Sequence, residues 1–367
     1  MPVVLNLDGK HPKCRVPNDV WRISIDSEGR ETCEGYWDLS YQPGPLDWNQ
    51  LKRLKNLSDL TYRGPDATVL DFLASRECRV RTFTWSESGR SRFDFSTANA
   101  IDNLGIYVQK KSLQLKLPVH GRMDYLRLIT PPSGCRVTVV CPKQGEGLRL
   151  MIYQGELLSI SGLKQLTDLQ LFNCRDVDIA AIAKAYPNLK SLDIMGKAVV
   201  LSGEAALSKL KSLEELNIHE CYNMDVNSFP GPDQLPALQE VNFDGLRRED
   251  ALLLKEKFQG IKELSIRGKR TAEWIANNLE NPFRFWEDYF GATAGKKAMA
   301  AWKTASSSIP DSGKKPSKNT ARKCLQAFVN VFNQLEQRTG LETDQREEIY
   351  DAFFQLVARL PAETVTE

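Results

Sequence analysis

From Leu163 to Lys269 the chain returns to one short pattern of apolar and polar positions. Leu166-Thr-Asp-Leu169-Gln-Leu171-Phe-Asn-Cys174 is followed by Leu189-Lys-Ser-Leu192-Asp-Ile194, Leu213-Glu-Glu-Leu216-Asn-Ile218-His-Glu-Cys221, Leu238-Gln-Glu-Val241-Asn-Phe243 and Ile261-Lys-Glu-Leu264-Ser-Ile266. The residues at the fourth position, Leu169, Leu192, Leu216, Val241 and Leu264, stand 23, 24, 25 and 23 residues apart. Alternation over positions four to seven predicts a half-buried strand. One such unit cannot bury its apolar face alone, so successive units are expected to stack with their strands side by side over one core.

The frame extends backward through Leu57–Tyr62, Val80–Trp85, Ile101–Ile106, Met123–Leu128 and Gly145–Leu150. Its anchors Leu60, Phe83, Leu104, Leu126, Leu148 and Leu169 step by 23, 21, 22, 22 and 21 residues. In pattern and step the chain resembles the leucine-rich repeat family, whose units run about 20 to 29 residues. The resemblance implies an α/β solenoid of about ten rungs over residues 51–270, with a parallel concave sheet used to bind other proteins. Its ninth position points inward, which makes Cys174 and Cys221 buried thiols rather than disulfide partners.

The flanks differ from the repeat. Residues 1–50 read as an N-terminal cap, with a hairpin over Val20–Cys33 turning at Ser27-Glu28-Gly29. Leu113–Leu117 and Arg136–Val140 alternate like strands on the return side of the middle rungs, whereas Asp178–Ala185 and Arg248–Phe258 are helix-like. Residues 271–305 read as a helical, aromatic-rich C-terminal cap and 306–320 as a Ser/Pro/Gly/Lys linker. Residues 321–367 read as a helical hairpin. Its first helix carries Cys324, Phe328, Phe332 and Leu335 on one stripe, and its second begins at Asp344 and Glu347.

Composition narrows the function classes. With 49 basic and 47 acidic residues the net charge is +2, which gives no general attraction to nucleic acid or an anionic membrane. The N-terminus lacks the charged start and apolar run of a secretory signal, and no apolar stretch reaches about 18 residues, so the cytoplasm is the expected location. Eight cysteines without CxxC spacing and three scattered histidines argue against a metal site, and no cofactor is expected. No nucleophile elbow, phosphate loop or HExxH motif occurs, so the chain is not expected to be an enzyme. The alternatives are activity hidden in the C-terminal region and self-association through the C-terminal helices. Some proteins of the resembled family carry a C-terminal ubiquitin ligase with a nucleophilic cysteine, but Cys324 lies on an apolar stripe and reads as packing.

The candidate site is the solvent face of the repeat strands. The seventh position gives Tyr107, Ile129, Met151, Phe172, Met195 and His219, an apolar stripe of the kind that marks interfaces. A one-residue slip in the earlier rungs would instead put Tyr107, Ile129 and Met151 in the core. The third position gives Asp168, Ser191, Glu215, Glu240 and Glu263, with Asp193 close by and Asn217 and Asn242 at the fifth, where Arg127 and Arg149 are also expected. Such an acidic half-surface suits a protein partner with a basic surface, oriented by charge. The basic run Lys314–Lys323 has no interleaved aromatics and reads as a solvated linker rather than a nucleic-acid contact.

Overall fold

A computed structural model describes residues 2–10, 13–26, 37–40, 44–120, 123–153, 159–268, 270–312 and 315–361. The chain divides into two compact units, Met1–Arg270 and Thr271–Glu367, each with its own core.

The first unit is α/β and is organised by the alternation just described. Among the described residues, thirteen strands form one large sheet, and their order across it follows the chain from Arg22–Asp26 to Glu263–Ile266. Neighbours pair in parallel, fourth position to fourth position: Leu60 with Phe83, Leu104 with Leu126, Leu169 with Leu192, Leu216 with Val241. The fourth and sixth positions of adjacent strands therefore form continuous buried ladders, Leu169, Leu192 and Leu216 beside Leu171, Ile194 and Ile218. In the early rungs the same positions hold Tyr62, Phe83 and Trp85, with Trp85 edge-on to Phe93 at a centroid distance of 5.2 Å. Burial of such side chains contributes about 2 kcal/mol each.

The returning segments close the other side of this core. Arg92–Asp94, Ser112–Lys116, Arg136–Val140 and Ser159–Ser161 form a second parallel sheet, with Phe93, Leu113, Leu115, Val137 and Val139 turned inward. Helices take over elsewhere: α1 (Val69–Leu73), α2 (Ile179–Ala185) and α3 (Arg248–Lys257). The Asp178 side chain caps α2 by accepting from the backbone N–H groups of Ala180 and Ala181.

Two sequence expectations are corrected here. Arg22–Asp26 lies between Trp37–Ser40 and Asp59–Arg63, parallel to both, so it is a strand of the large sheet with both edges filled and not one arm of an antiparallel hairpin. The expected turn at residues 27–29 lies outside the described residues. The hairpin that does form near the N-terminus pairs Val3–Leu5 with Cys14–Val16. The second correction is a register shift. Leu150, not Leu148, pairs with Leu126 and Leu169, so the steps there are 24 and 19 residues.

Each strand must then leave the sheet, and the eighth position does this with a left-handed residue in five rungs: Glu87, Thr130, Asn173, Glu220 and Gly245. Glycine and asparagine tolerate that conformation, whereas a β-branched side chain is strained. Thr130, at φ 46° and exposed, is the costliest of these. Thr130→Gly is expected to stabilise the first unit by about 1 kcal/mol, measured by chemical denaturation, and a loss of stability would contradict this account.

The second unit holds α4 (Ala272–Asn278), α5 (Trp286–Phe290), α6 (Ala292–Ser308), α7 (Lys318–Thr339) and α8 (Thr343–Ala358). The segments 271–305 and 321–367, read separately from the sequence, share one core here. Phe283, Trp286, Met299 and Trp302 pack with Phe328, Phe332 and Leu335 of α7 and Leu356 of α8. The Trp286 indole donates to Glu348 at 2.7 Å, fastening α5 to α8. α8 starts with a capping box made by Glu342 and Gln345, two residues earlier than Asp344 and Glu347 suggest. No described helix is long and apolar enough to cross a membrane.

Candidate functional site

The third, fifth and seventh positions of the large sheet all lie on the face turned away from the core, and parallel pairing lines them up in three columns about 4.8 Å apart from rung to rung. The seventh column reads Tyr107, Ile129, Tyr153, Phe172, Met195, His219 and Asp244. Tyr107, Ile129, Phe172, Met195 and His219 are where the sequence put them, on the solvent face. Met151 is not. It pairs with Arg127 and Gln170 in the fifth column, and Tyr153 takes its expected place.

The physical reason for this misplacement is the turn before the strand. Lys143 and Gln144 there are left-handed, at φ 49° and 52°, and the alternating run Leu148-Arg-Leu-Met-Ile-Tyr153 fits the sheet equally well after a shift of two. The shift replaces a flexible thioether with a ring. Tyr153 and Phe172 stack at a centroid distance of 4.7 Å and an interplanar angle of 12°. Five adjacent strands thus carry an unbroken row of Tyr107, Ile129, Tyr153, Phe172 and Met195, with Tyr107 and Met195 38% and 39% exposed.

The shift also moves Arg149 from the expected fifth column to the third, opposite Asp168. Arg149 Nε donates to Asp168 at 2.6 Å and its Nη1 to the Tyr125 hydroxyl at 3.1 Å, while the guanidinium lies over the Tyr125 ring. Arg127 stays in the fifth column and donates across Gly105 to Thr84 Oγ1 at 3.2 Å. A Cβ on Gly105 would stand 3.1 Å from that oxygen and 3.4 Å from Arg127 Nη2, so the missing side chain opens the path. Arginines balance carboxylates in these early rungs, with Arg22 on Asp59 and Arg63 on Asp26 and Glu87.

From Asp168 onward the balance turns negative. The third column continues as Ser191, Glu215, Glu240 and Glu263, and the fifth holds Asp193, Asn217 and Asn242. Lys190 pairs with Glu214 at 2.8 Å and Lys262 with Glu263 at 3.7 Å, whereas Glu215 accepts a hydroxyl bond from Ser191. Among the described residues, Asp168 Oδ1, Asp193 Oδ1 and Asn217 Oδ1 are buried acceptors with no hydrogen-bond partner. A shallow cavity of about 390 Å³ opens beside His219, Glu240, Asn242 and Arg267.

This crowding shows in the titration of the carboxyls. Burial lifts Asp193 above the usual range, with Asp168 adding to the lift and His219 and Arg149 pulling back. Burial likewise raises Asp168, against Arg149 and with Glu215. A carboxyl whose folded pKa lies above its unfolded value binds protons more tightly when folded, so its contribution to stability falls as pH rises from about 3.8 through the raised value. Asp193→Asn is therefore expected to raise the melting temperature at pH 7 and to lose that advantage toward pH 4. The measurement is the difference between the two proteins' melting curves against pH, because carboxyls such as Asp94, held at about 2 by Ser96 and Lys116, titrate in the opposite sense. A difference that does not change with pH would refute the crowding.

Cys174 and Cys221 are buried beneath the sheet, and burial pushes the Cys221 thiol up to about 12. Burial also raises Cys324, which lies in the second unit. Among the described residues no group of three His, Cys, Asp or Glu side chains is arranged to hold a metal ion. The chain matches no protein-family model and no curated protein at a significant level of similarity.

Proposed function

We propose that the first unit is a leucine-rich repeat solenoid and a non-catalytic scaffold that binds a protein partner on the face bearing the three columns. The observation that carries this reading is the unbroken apolar row across five strands beside an acidic column. Aromatic and methionine side chains are enriched at interface centres, and the acids would speed and orient the approach of a basic partner. The unpartnered acceptors Asp193 and Asn217 favour the same class of partner, since lysine and arginine donors would satisfy them. The partner is thus a basic protein offering apolar side chains flanked by lysine or arginine. The 19- to 25-residue steps and the leucine ladders support the repeat family.

The test is affinity capture on the immobilised full chain, compared with a Tyr153→Ala/Phe172→Ala variant. Support is a stoichiometric basic protein retained by the former, released by salt and absent from the latter. Capture of the same proteins by both would sink the proposal.

A further inference from the structure

The second unit holds a groove and a ridge that do not meet within one chain. The groove, a cavity of about 470 Å³, runs between α6 and α7. It exists because α6 lines it with Ala300, Ala301 and Ala305, and α7 with Ala327 and Val331, where larger side chains would fill the gap. The ridge is on α8. Tyr350 and Phe354, one turn apart, are 63% and 61% exposed, and Glu347, Asp351 and Ala358 share their exposed stripe. The same helix turns Ala352 and Leu356 into the unit's core. A helix held by that inner face cannot also lay its outer face in its own chain's groove.

We propose that the second unit pairs two copies of the chain, with the Tyr350/Phe354 stripe of each lying in the α6–α7 groove of the other. Three features match. Chemistry is the first, large aromatic rings against a trough of alanines, the combination that lets helices approach closely. Length is the second. The groove follows α6 from Lys297 to Ser308, and the stripe follows α8 from Glu347 to Ala358. Both stretches run about 16 Å at 1.5 Å per residue. Charge is the third, since Lys297 and Arg338 stand at one end of the groove while Glu347 and Asp351 lead the stripe. No ion pair joins any of these four to another described residue. A two-fold pairing satisfies both contacts at once and closes the assembly at a dimer.

Sedimentation velocity on the full chain between about 1 and 100 µM tests this, a range that covers ordinary dimer affinities. The expected result is a dimer, reduced to a monomer by Tyr350→Ser/Phe354→Ser and, separately, by Lys297→Glu/Arg338→Glu. Because either change could act by unfolding the unit, the deciding arm is a mixture. Lys297→Glu/Arg338→Glu and Glu347→Lys/Asp351→Lys, each monomeric alone, should form a mixed dimer when combined, since each reversed groove then meets a reversed stripe. A chain that stays monomeric throughout, a dimer that both variants leave intact, or a mixture that stays monomeric would overturn the proposal. None of these outcomes bears on the face of the first unit.

Discussion

The Tyr153→Ala/Phe172→Ala variant is expected to bind the partner about a thousandfold more weakly than the unaltered chain while folding normally. The two rings stack at 4.7 Å in the middle of the apolar row, so they form one unit of surface. Truncating an aromatic anchor at the centre of an interface typically costs about 2 kcal/mol, and two such losses make about 4 kcal/mol, or roughly three decades in Kd. Alanine is the informative replacement. A carboxylate there would offer a basic partner a new charge and blur the result. Both side chains are only half-buried, and their backbone bonds lie within the sheet, so the cost to folding is expected to stay within about 1 kcal/mol. Val140→Ala provides the control: its side chain is 59% exposed on the second sheet, away from the three columns. Isothermal titration with the captured partner measures both. Equal affinities for the double variant and the control would remove the apolar row from the interface.

The row was readable from sequence wherever a rung carried a leucine at position one, because that residue fixes the frame. Leu166, Leu189 and Leu213 do so, and Phe172, Met195 and His219 lie where that frame puts them. Gly145 and Gly147 give no such fix, and alternation alone survives a two-residue shift without exchanging faces. Met151 for Tyr153 and the column of Arg149 both follow from that single ambiguity. The strand Arg22–Asp26 was missed for a different reason. Val20-Trp-Arg-Ile23-Ser-Ile25 has the repeat's spacing, but Ile23 stands 37 residues before Leu60, outside the expected step. What no local pattern could supply was pairing at a distance. The stacking of Tyr153 on Phe172, the bond from Arg127 to Thr84 and the crowding of Asp193 against Asp168 each join residues about one repeat or more apart.

Gly295→Val is expected to lower the stability of the second unit by about 3 kcal/mol and to leave the first unit unchanged. In sequence Gly295 looks like the start of a helix. In the structure α6 begins at Ala292, and Gly295 lies within its first turns, where the absent side chain lets α5 come close. A Cβ at this position would stand 2.3 Å from the Glu287 backbone nitrogen and 2.6 Å from its Cα. These are backbone atoms, so no rotamer change relieves the overlap and the two helices must separate. Separation would disturb Trp286, which packs between Phe290 and Phe332 and donates to Glu348 of α8. A clash at one residue is thereby carried to three helices. The effect on helix propensity runs the other way, since valine is the better helix former, but by well under about 1 kcal/mol, so the clash decides the sign. Hydrogen exchange read by mass spectrometry separates the outcomes. Faster exchange confined to peptides from 272–358 supports the close approach as the cause. Unchanged or slower exchange there would mean that α5 and α6 can accommodate a side chain, and that their packing is looser than the short distances to Glu287 imply.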